Sequence, residues 1–292
     1  MTTRYFSVAK FDRNYTLFID TGNSTTLEIN NRLTITFDVV RNTMTSPNTG
    51  TIVIYNLSAD NRASIFKDWR DQDLSRKIVL KAGYGKALSP IISGTISRCT
   101  SVRQGSDYVT TIECFDSGSV YNNLDADGQT YKKGTTYNSI ALDMIRQLGN
   151  KGIKRGEIGT IFGEIGRDTS YTDNVVDILK EITGGAFFIE NGIAHVLYDN
   201  ETLNGDIEII NSASGLLGTP VRGQEFVDIE LLFEAGYLSG QQVILESQTT
   251  REYNGTYKIM SIHHSGMISE SVGGKATTRL GLTRRLAIKG RG

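Results

Sequence analysis

The chain has 292 residues and carries 31 Lys and Arg against 32 Asp and Glu, so its formal net charge of −1 gives no overall field for nucleic acid or an anionic membrane. Hydrophobic residues at 38% and charged residues at 22% fit a folded globular protein and exclude disorder. With 31 glycines, three prolines and two cysteines, the composition favours short strands and tight turns over long helices or a disulfide framework.

From Leu33 to Phe115 apolar residues recur with period two, as in Leu33, Ile35, Phe37 and Val39 and again in Ile52 and Ile54, which predicts half-buried strands. Pro47, Asn48 and Gly50 between them predict a hairpin. Ser58 is placed to cap a helix running to Trp69, with Ala63, Ile65, Phe66 and Trp69 inward, a segment able to plug one open end of a barrel. Three further strands are predicted at Ile78 to Tyr84, Ile91 to Val102 and Tyr108 to Phe115, the last two joined at Gln104-Gly105-Ser106. About six strands and one helix result.

The pattern then changes. Ile140, Ala141, Met144, Ile145 and Leu148 form one helical face ended by Gly149. A second helix, N-capped by Thr172 or Asp173, places Val175, Val176, Ile178, Leu179 and Ile182 inward and stops at Gly184-Gly185. Asn191-Gly192, between apolar runs, predicts a type I′ hairpin. From about Ile207 strands resume in VDIELLF, QQVILESQ, TYKIMSIHHSG and KATTRLGLT. The predicted fold is mainly β with an α+β insertion: two β-barrel-like domains, residues 1–130 and 206–292, flank a small helix-helix-hairpin domain, residues 131–205. The outer parts share a faint pattern: Gly94-Thr95-Ile96 precedes Thr110-Thr111, and Gly266-Met267-Ile268 precedes Thr277-Thr278.

Chemistry-bearing motifs do not emerge. There is no CxxC, HExxH, G-x-S-x-G or complete phosphate loop, and no catalytic, cofactor-binding or metal-ligating residue is predicted. Adjacent His263 and His264 on a strand point to opposite faces, and His195 reads as a cross-strand residue. Cys99 and Cys114 read as buried strand thiols. Asn23-Ser24-Thr25, Asn56-Leu57-Ser58 and Asn254-Gly255-Thr256 match the glycosylation pattern, but MTTRYFSVAK is no secretion signal, and no apolar run approaches the ~18 residues that span a bilayer. Assembly in the cytoplasm is expected. The basic run Lys275, Arg279, Arg284, Arg285, Lys289 and Arg291 reads as a solvated tail or as a contact for an acidic partner or nucleic acid.

LTITFDVVRNTMTSPNTGTIVIYNLSADNRASIF, followed by KIVLKAGYGKALSPIISGTISRCTSVRQGSDYVTTIECFDSG, resembles the N-terminal barrel of baseplate hub proteins of contractile phage tails. There T-I-x-I-Y-N-L-S and a helix precede a strand with A-G-Y and then I-x-x-G-x-I. GTPVRGQEFVDIELLFEAGYLSGQQVILESQ, NGTYKIMSIHHSG and TTRLGLT look like that family's second barrel. The resemblance implies a virion structural protein without an active site: a homotrimer whose two tube-type barrels per subunit form a ring of six. The ring would adapt a sixfold tail tube to a threefold central spike, contact other baseplate proteins and leave a channel that passes DNA without binding it specifically.

Two other readings compete. A β-rich receptor- or carbohydrate-binding tail module would use exposed aromatics such as Trp69, Tyr121, Tyr131 or Tyr253. A cell-wall hydrolase would hide its two carboxylates among ordinary surface acids.

Overall fold

The computed structural model describes residues 3–4, 10–22, 25–44, 46–68, 70–71, 75–117, 124–224 and 226–284. The chain is mainly β. It begins with β1 (Thr3–Arg4), β2 (Arg13–Gly22), β3 (Thr25–Asn30), β4 (Ile35–Asn42) and β5 (Thr49–Tyr55), passes through helix α1 (Ala59–Ile65), and continues with β6 (Lys77–Tyr84), β7 (Ala87–Gln104) and β8 (Asp107–Phe115). A middle stretch holds β9 (Thr130–Tyr131), α2 (Tyr137–Gly149), β10 (Lys154–Ile158), β11 (Thr169–Ser170), α3 (Val175–Ile182), β12 (Phe187–Glu190) and β13 (Ile193–Val196). Then come β14 (Leu203–Ile210), β15 (Leu216–Arg222), β16 (Val227–Leu232), β17 (Gln241–Leu245), β18 (Gly255–Ile268) and β19 (Ala276–Thr283).

The expected strands of the first part are present, and β1, β2 and β3 precede them. Tyr15, Leu17 and Ile19 alternate inward along β2, which pairs with both β3 and β6, so the strand period extends further upstream than Leu33. Ser58 caps α1 through its side chain, but the helix ends at Ile65. Ala63 and Phe66 are exposed, and Lys67 instead leaves the helix to bridge Cys99 of β7. Trp69 lies outside the described residues.

In the middle stretch α2 runs through Gly149 and is capped by Asn150; the left-handed residue that turns the chain is Gly152. The N-cap of α3 is Asn174, whose side chain accepts the Val176 N–H at 2.9 Å, rather than Thr172 or Asp173. The two helices pack on the parallel and antiparallel ladder β10-β13-β12.

Strand pairing is continuous from the N-terminal to the C-terminal part, in the order β1-β14-β17-β18-β4-β5-β8-β7-β6-β2-β3, with β19, β16 and β15 branching from β18. No closed barrel forms among the described residues. The reason is local: one edge of β4 holds β5 and the other holds β18, so β4 has no edge left with which to close on β3. Three apolar clusters sit under this framework, one centred on β2 to β8, one on the helices and their ladder, and one on β16 to β19. The first also contains Phe233, Ala235, Ile268 and Ala276, so the C-terminal part contributes directly to the N-terminal core.

Candidate assembly site: a strand seam over a buried polar joint

Strands β4 and β18 sew the two β-rich parts together, antiparallel from Ile35 opposite Ile268 to Asn42 opposite Ser261. Ile35, Phe37 and Val39 face inward along β4, and the same parity carries Arg41 inward, fully buried at 0% exposure. In β18 it turns His264 inward after Ile262, and just past β8 it puts Asp116 behind Ile112 and Cys114. Charged and polar groups that continue an apolar alternation therefore converge beneath the seam.

Arg41 Nη1 donates to Glu190 Oε1 at 2.7 Å, and Nη2 donates to the Tyr237 carbonyl at 2.7 Å and to His264 Nε2 at 2.9 Å. Because Nε2 accepts, Nδ1 carries the ring proton and donates to Thr278 Oγ1 at 2.9 Å. That hydroxyl donates to the Glu234 carbonyl at 3.2 Å and accepts the Glu234 N–H at 2.9 Å. Burial first, then Arg41 and His263, hold His264 well below the usual imidazole range, which keeps it neutral.

Glu190 ends β12 at the Asn191-Gly192 turn, whose φ angles of +49° and +76° are the left-handed pair of a type I′ hairpin. Asp116 grips this turn. Its Oδ2 accepts the Asn191 N–H at 2.6 Å, and its Oδ1 accepts the Gly192 N–H at 3.1 Å and the Ser117 hydroxyl at 2.9 Å. The Asn48 amide donates to the Ile189 carbonyl at 3.0 Å, while its Oδ1 accepts the Asn42 N–H at 2.9 Å. Burial, then the charge of Glu190, push Asp116 up to about 7 against these hydrogen bonds.

The joint thus takes groups from all three parts of the chain. Its ion pair is weak as a source of stability and strong as a constraint, because parting β4 from the β12 end of the middle stretch would leave a buried charge without its partner. Lys258 adds a second lock: its ammonium donates to the carbonyls of Leu197 at 3.2 Å and Tyr198 at 2.7 Å, and burial lowers it to about 8. Phe233 adds an apolar one, edge-on to Phe37 with centroids 5.5 Å apart.

The two sides of the seam are built alike. Strands β4 to β8 run in the spatial order β4-β5-β8-β7-β6, and β15 to β19 run in the order β15-β16-β19-β18-β17, with every neighbour antiparallel. The β-bulge repeats too: it falls between Ile96 and Arg98 in β7 and between Ile259 and Ser261 in β18. With the bulges superposed, inward residues match as Cys99 with Ile262, Ile112 with Leu280, Cys114 with Leu282 and Ile52 with Ile229. In this register Thr110 corresponds to Thr278, and Gly94 does not correspond to Gly266. The duplication is one of topology and pleat, and the faint Gly-x-Ile and Thr-Thr similarity is out of step with it.

Residues singled out in the sequence scatter. His263 is paired with Asp38 at 2.8 Å on the outer face of the seam, and His195 stacks on Phe188 and is lowered to about 4 by burial. Cys99 and Cys114 are buried, which pushes both thiols up to about 12. Tyr131 is buried and Tyr253 half-buried, so neither forms an exposed platform; Tyr121 lies outside the described residues. In the basic run, Lys275 and Arg279 pair with Glu230 at 3.0 and 3.7 Å, and Arg284 sits over the Tyr257 ring; residues 285–292 lie outside the described residues, as do Asn23 and Ser24. Among the described residues no group of three or more His, Cys, Asp or Glu is placed to hold a metal ion, and no helix is long and apolar enough to cross a membrane.

A family model described as baseplate hub gp41 matches residues 15–267, from within β2 to near the end of the seam in β18, and stops short of β19. The chain belongs to this baseplate hub family. It is a structural component of a phage tail, located at the baseplate. No curated protein sequence matches it. Solved structures share its fold at low identity. A tail protein from Neisseria meningitidis MC58 is 11% identical, with a TM-score of 0.59 and coverage of 92% of this chain and 96% of that one. The 43 kDa tail protein of prophage MuSo2 from Shewanella oneidensis is 10% identical, with a TM-score of 0.60 and coverage of 94% and 97%. An Escherichia coli component of the type VI secretion system, described as similar to T4 tail proteins gp27 and gp5, is 7% identical, with a TM-score of 0.56 and coverage of 87% and 75%.

Proposed function

We propose that this hub protein is a symmetry adapter: a homotrimer in which two similar β-rich domains per chain, residues 1–130 and 206–292, form a ring of six around a channel, with residues 131–205 as an α+β insertion. Such a ring matches a sixfold tail tube on one side and a threefold central spike on the other, with other baseplate proteins around it. The observation that carries this reading is the duplicated five-strand motif with its duplicated bulge. Two quasi-equivalent units in one chain are what a threefold assembly needs to present sixfold contacts. The buried polar joint supports it by holding the two units in one relative placement during force transmission in a contractile tail. A channel without a strongly basic lining passes DNA without retaining its phosphates, and a net charge of −1 is compatible with that. Folding in the host cytoplasm accords with two unpaired, buried cysteines.

The test is the mass and symmetry of the particle formed when the chain is mixed with its tail tube and spike partners. Threefold symmetry with six β-rich lobes is expected. A particle of another symmetry overturns the reading.

A further inference from the structure

The seam between the two copies is head to tail. Copy one contributes its hairpin strand β4, and copy two contributes its long meander strand β18. In a two-fold contact the reciprocal pair, β15 with β7, would form in the same chain. It does not: among the described residues β15 pairs only with β16, and β7 only with β6, β8 and the single Lys67 bridge. Each chain therefore carries one used pair of edges and one unused pair of the same kind, the condition for repeating the contact between chains.

We infer that the subunit interface repeats the internal seam, with β15 of one chain pairing antiparallel to β7 of the next. The inference rests on the ring reading above and assigns its partner surface, a second copy of this chain. Carrying the β4·β18 register across the duplication sets Ser101 opposite Arg222, Val102 opposite Val221, and Arg103 opposite Pro220, in the places that Asp38 and Ser265 with their neighbours take inside the chain. Val102 and Val221 are 54% and 62% exposed on their strands, and the contact joins them as a cross-strand β-branched pair. Lys67 occupies this edge of β7 at Cys99 with both backbone hydrogen bonds, and among the described residues no strand pairs with it from Ser101 onward. Those bonds also fix the pleat: Cys99, Ser101 and Arg103 point their backbone groups at this edge, so Val102 takes a non-hydrogen-bonded position, where opposed Cα atoms approach to about 4.5 Å. Pro220 and the register shift between Leu217 and Val221 keep the ladder short and discourage indiscriminate edge pairing.

The full-length double variant Val102→Cys with Val221→Cys, assembled with tube and spike partners and oxidised mildly, tests this on a non-reducing denaturing gel. Opposed Cα atoms at that spacing accept a disulfide, and the native Cys99 and Cys114 are buried. Cross-linked species of two and three chains are expected, while each single variant stays uncross-linked because the contact sets unlike positions opposite each other. A particle of threefold symmetry whose double variant cross-links no more than the singles overturns the strand-edge assignment and leaves the adapter reading standing. A ladder continuing beyond three chains keeps the edge contact and overturns the closed ring of three.

Discussion

The carboxylate of Asp116 accepts the backbone N–H of Asn191 at 2.6 Å across 75 residues of chain, and so holds the β12–β13 turn to the end of β8. In the folded chain Asp116 keeps its proton up to about pH 7, while in the unfolded chain it loses it near the ordinary value of 3.8. Between those values the folded state holds more protons. The group's contribution is therefore fully present below about pH 4 and is lost as pH rises through 7. Asp116→Asn retains a neutral polar group that does not titrate. In urea unfolding the stability of the wild type relative to this variant should fall steadily from pH 4 to pH 7; a difference that rises over this window contradicts the assignment.

Arg41 and Glu190 should couple strongly. Arg41→Met leaves Glu190 buried without its cation and is expected to cost about 3–5 kcal/mol, with a similar loss for Glu190→Leu. The double variant should lose less than the sum by about 1–3 kcal/mol. Chemical denaturation of the four proteins measures this, and simple additivity would show that the pair does not act as one unit.

Gly94 is required by a close approach, not by φ. A Cβ there would lie 2.1 Å from the Phe115 carbonyl oxygen, a backbone atom that cannot swing aside. Gly94→Ala should cost about 1–3 kcal/mol by overpacking the β7·β8 crossing. Gly166→Ala, which meets nothing within 4 Å, should change stability by no more than about 0.5 kcal/mol. Paired melting curves give the comparison.

Lys258 predicts an alkaline effect of opposite sign to Asp116. It loses its proton near pH 8 when folded and near 10.5 when unfolded, so the folded chain holds fewer protons in that window and its relative stability rises with pH. The wild type should gain on Lys258→Met between pH 8 and pH 10. A flat difference would place the ammonium in a more solvated setting.

Much of the fold could be read locally. Alternation in ITFDVV and TIVIY, the Asn191-Gly192 turn and the face of α2 depend on contacts within a few residues, and each element formed where its pattern lies. Element ends were less legible: Thr172, Asp173 and Asn174 are all competent caps, and only the packing of α3 selects Asn174. The joint was readable in part. Arg41, Asp116 and His264 each continue an inward alternation, a warning that a charged or polar group is headed for the core, but nothing local names Glu190 or Asn48 as their partners.

The amino-acid sequence by itself determined that this protein is built mainly of strands, where most of them run, and through its ordered motifs the hub family to which it belongs. Only the tertiary structure decided that β4 gives its second edge to β18, which joins two copies of one strand motif without closing a barrel among the described residues and, among those residues, leaves β15 with β16 alone and the end of β7 with β8 alone. Pleat and turn chemistry are set by neighbours in the chain, whereas the pairing of β4 with β18 joins strands more than 200 residues apart, and edge choice at that separation depends on which arrangement buries the apolar faces and their polar companions together.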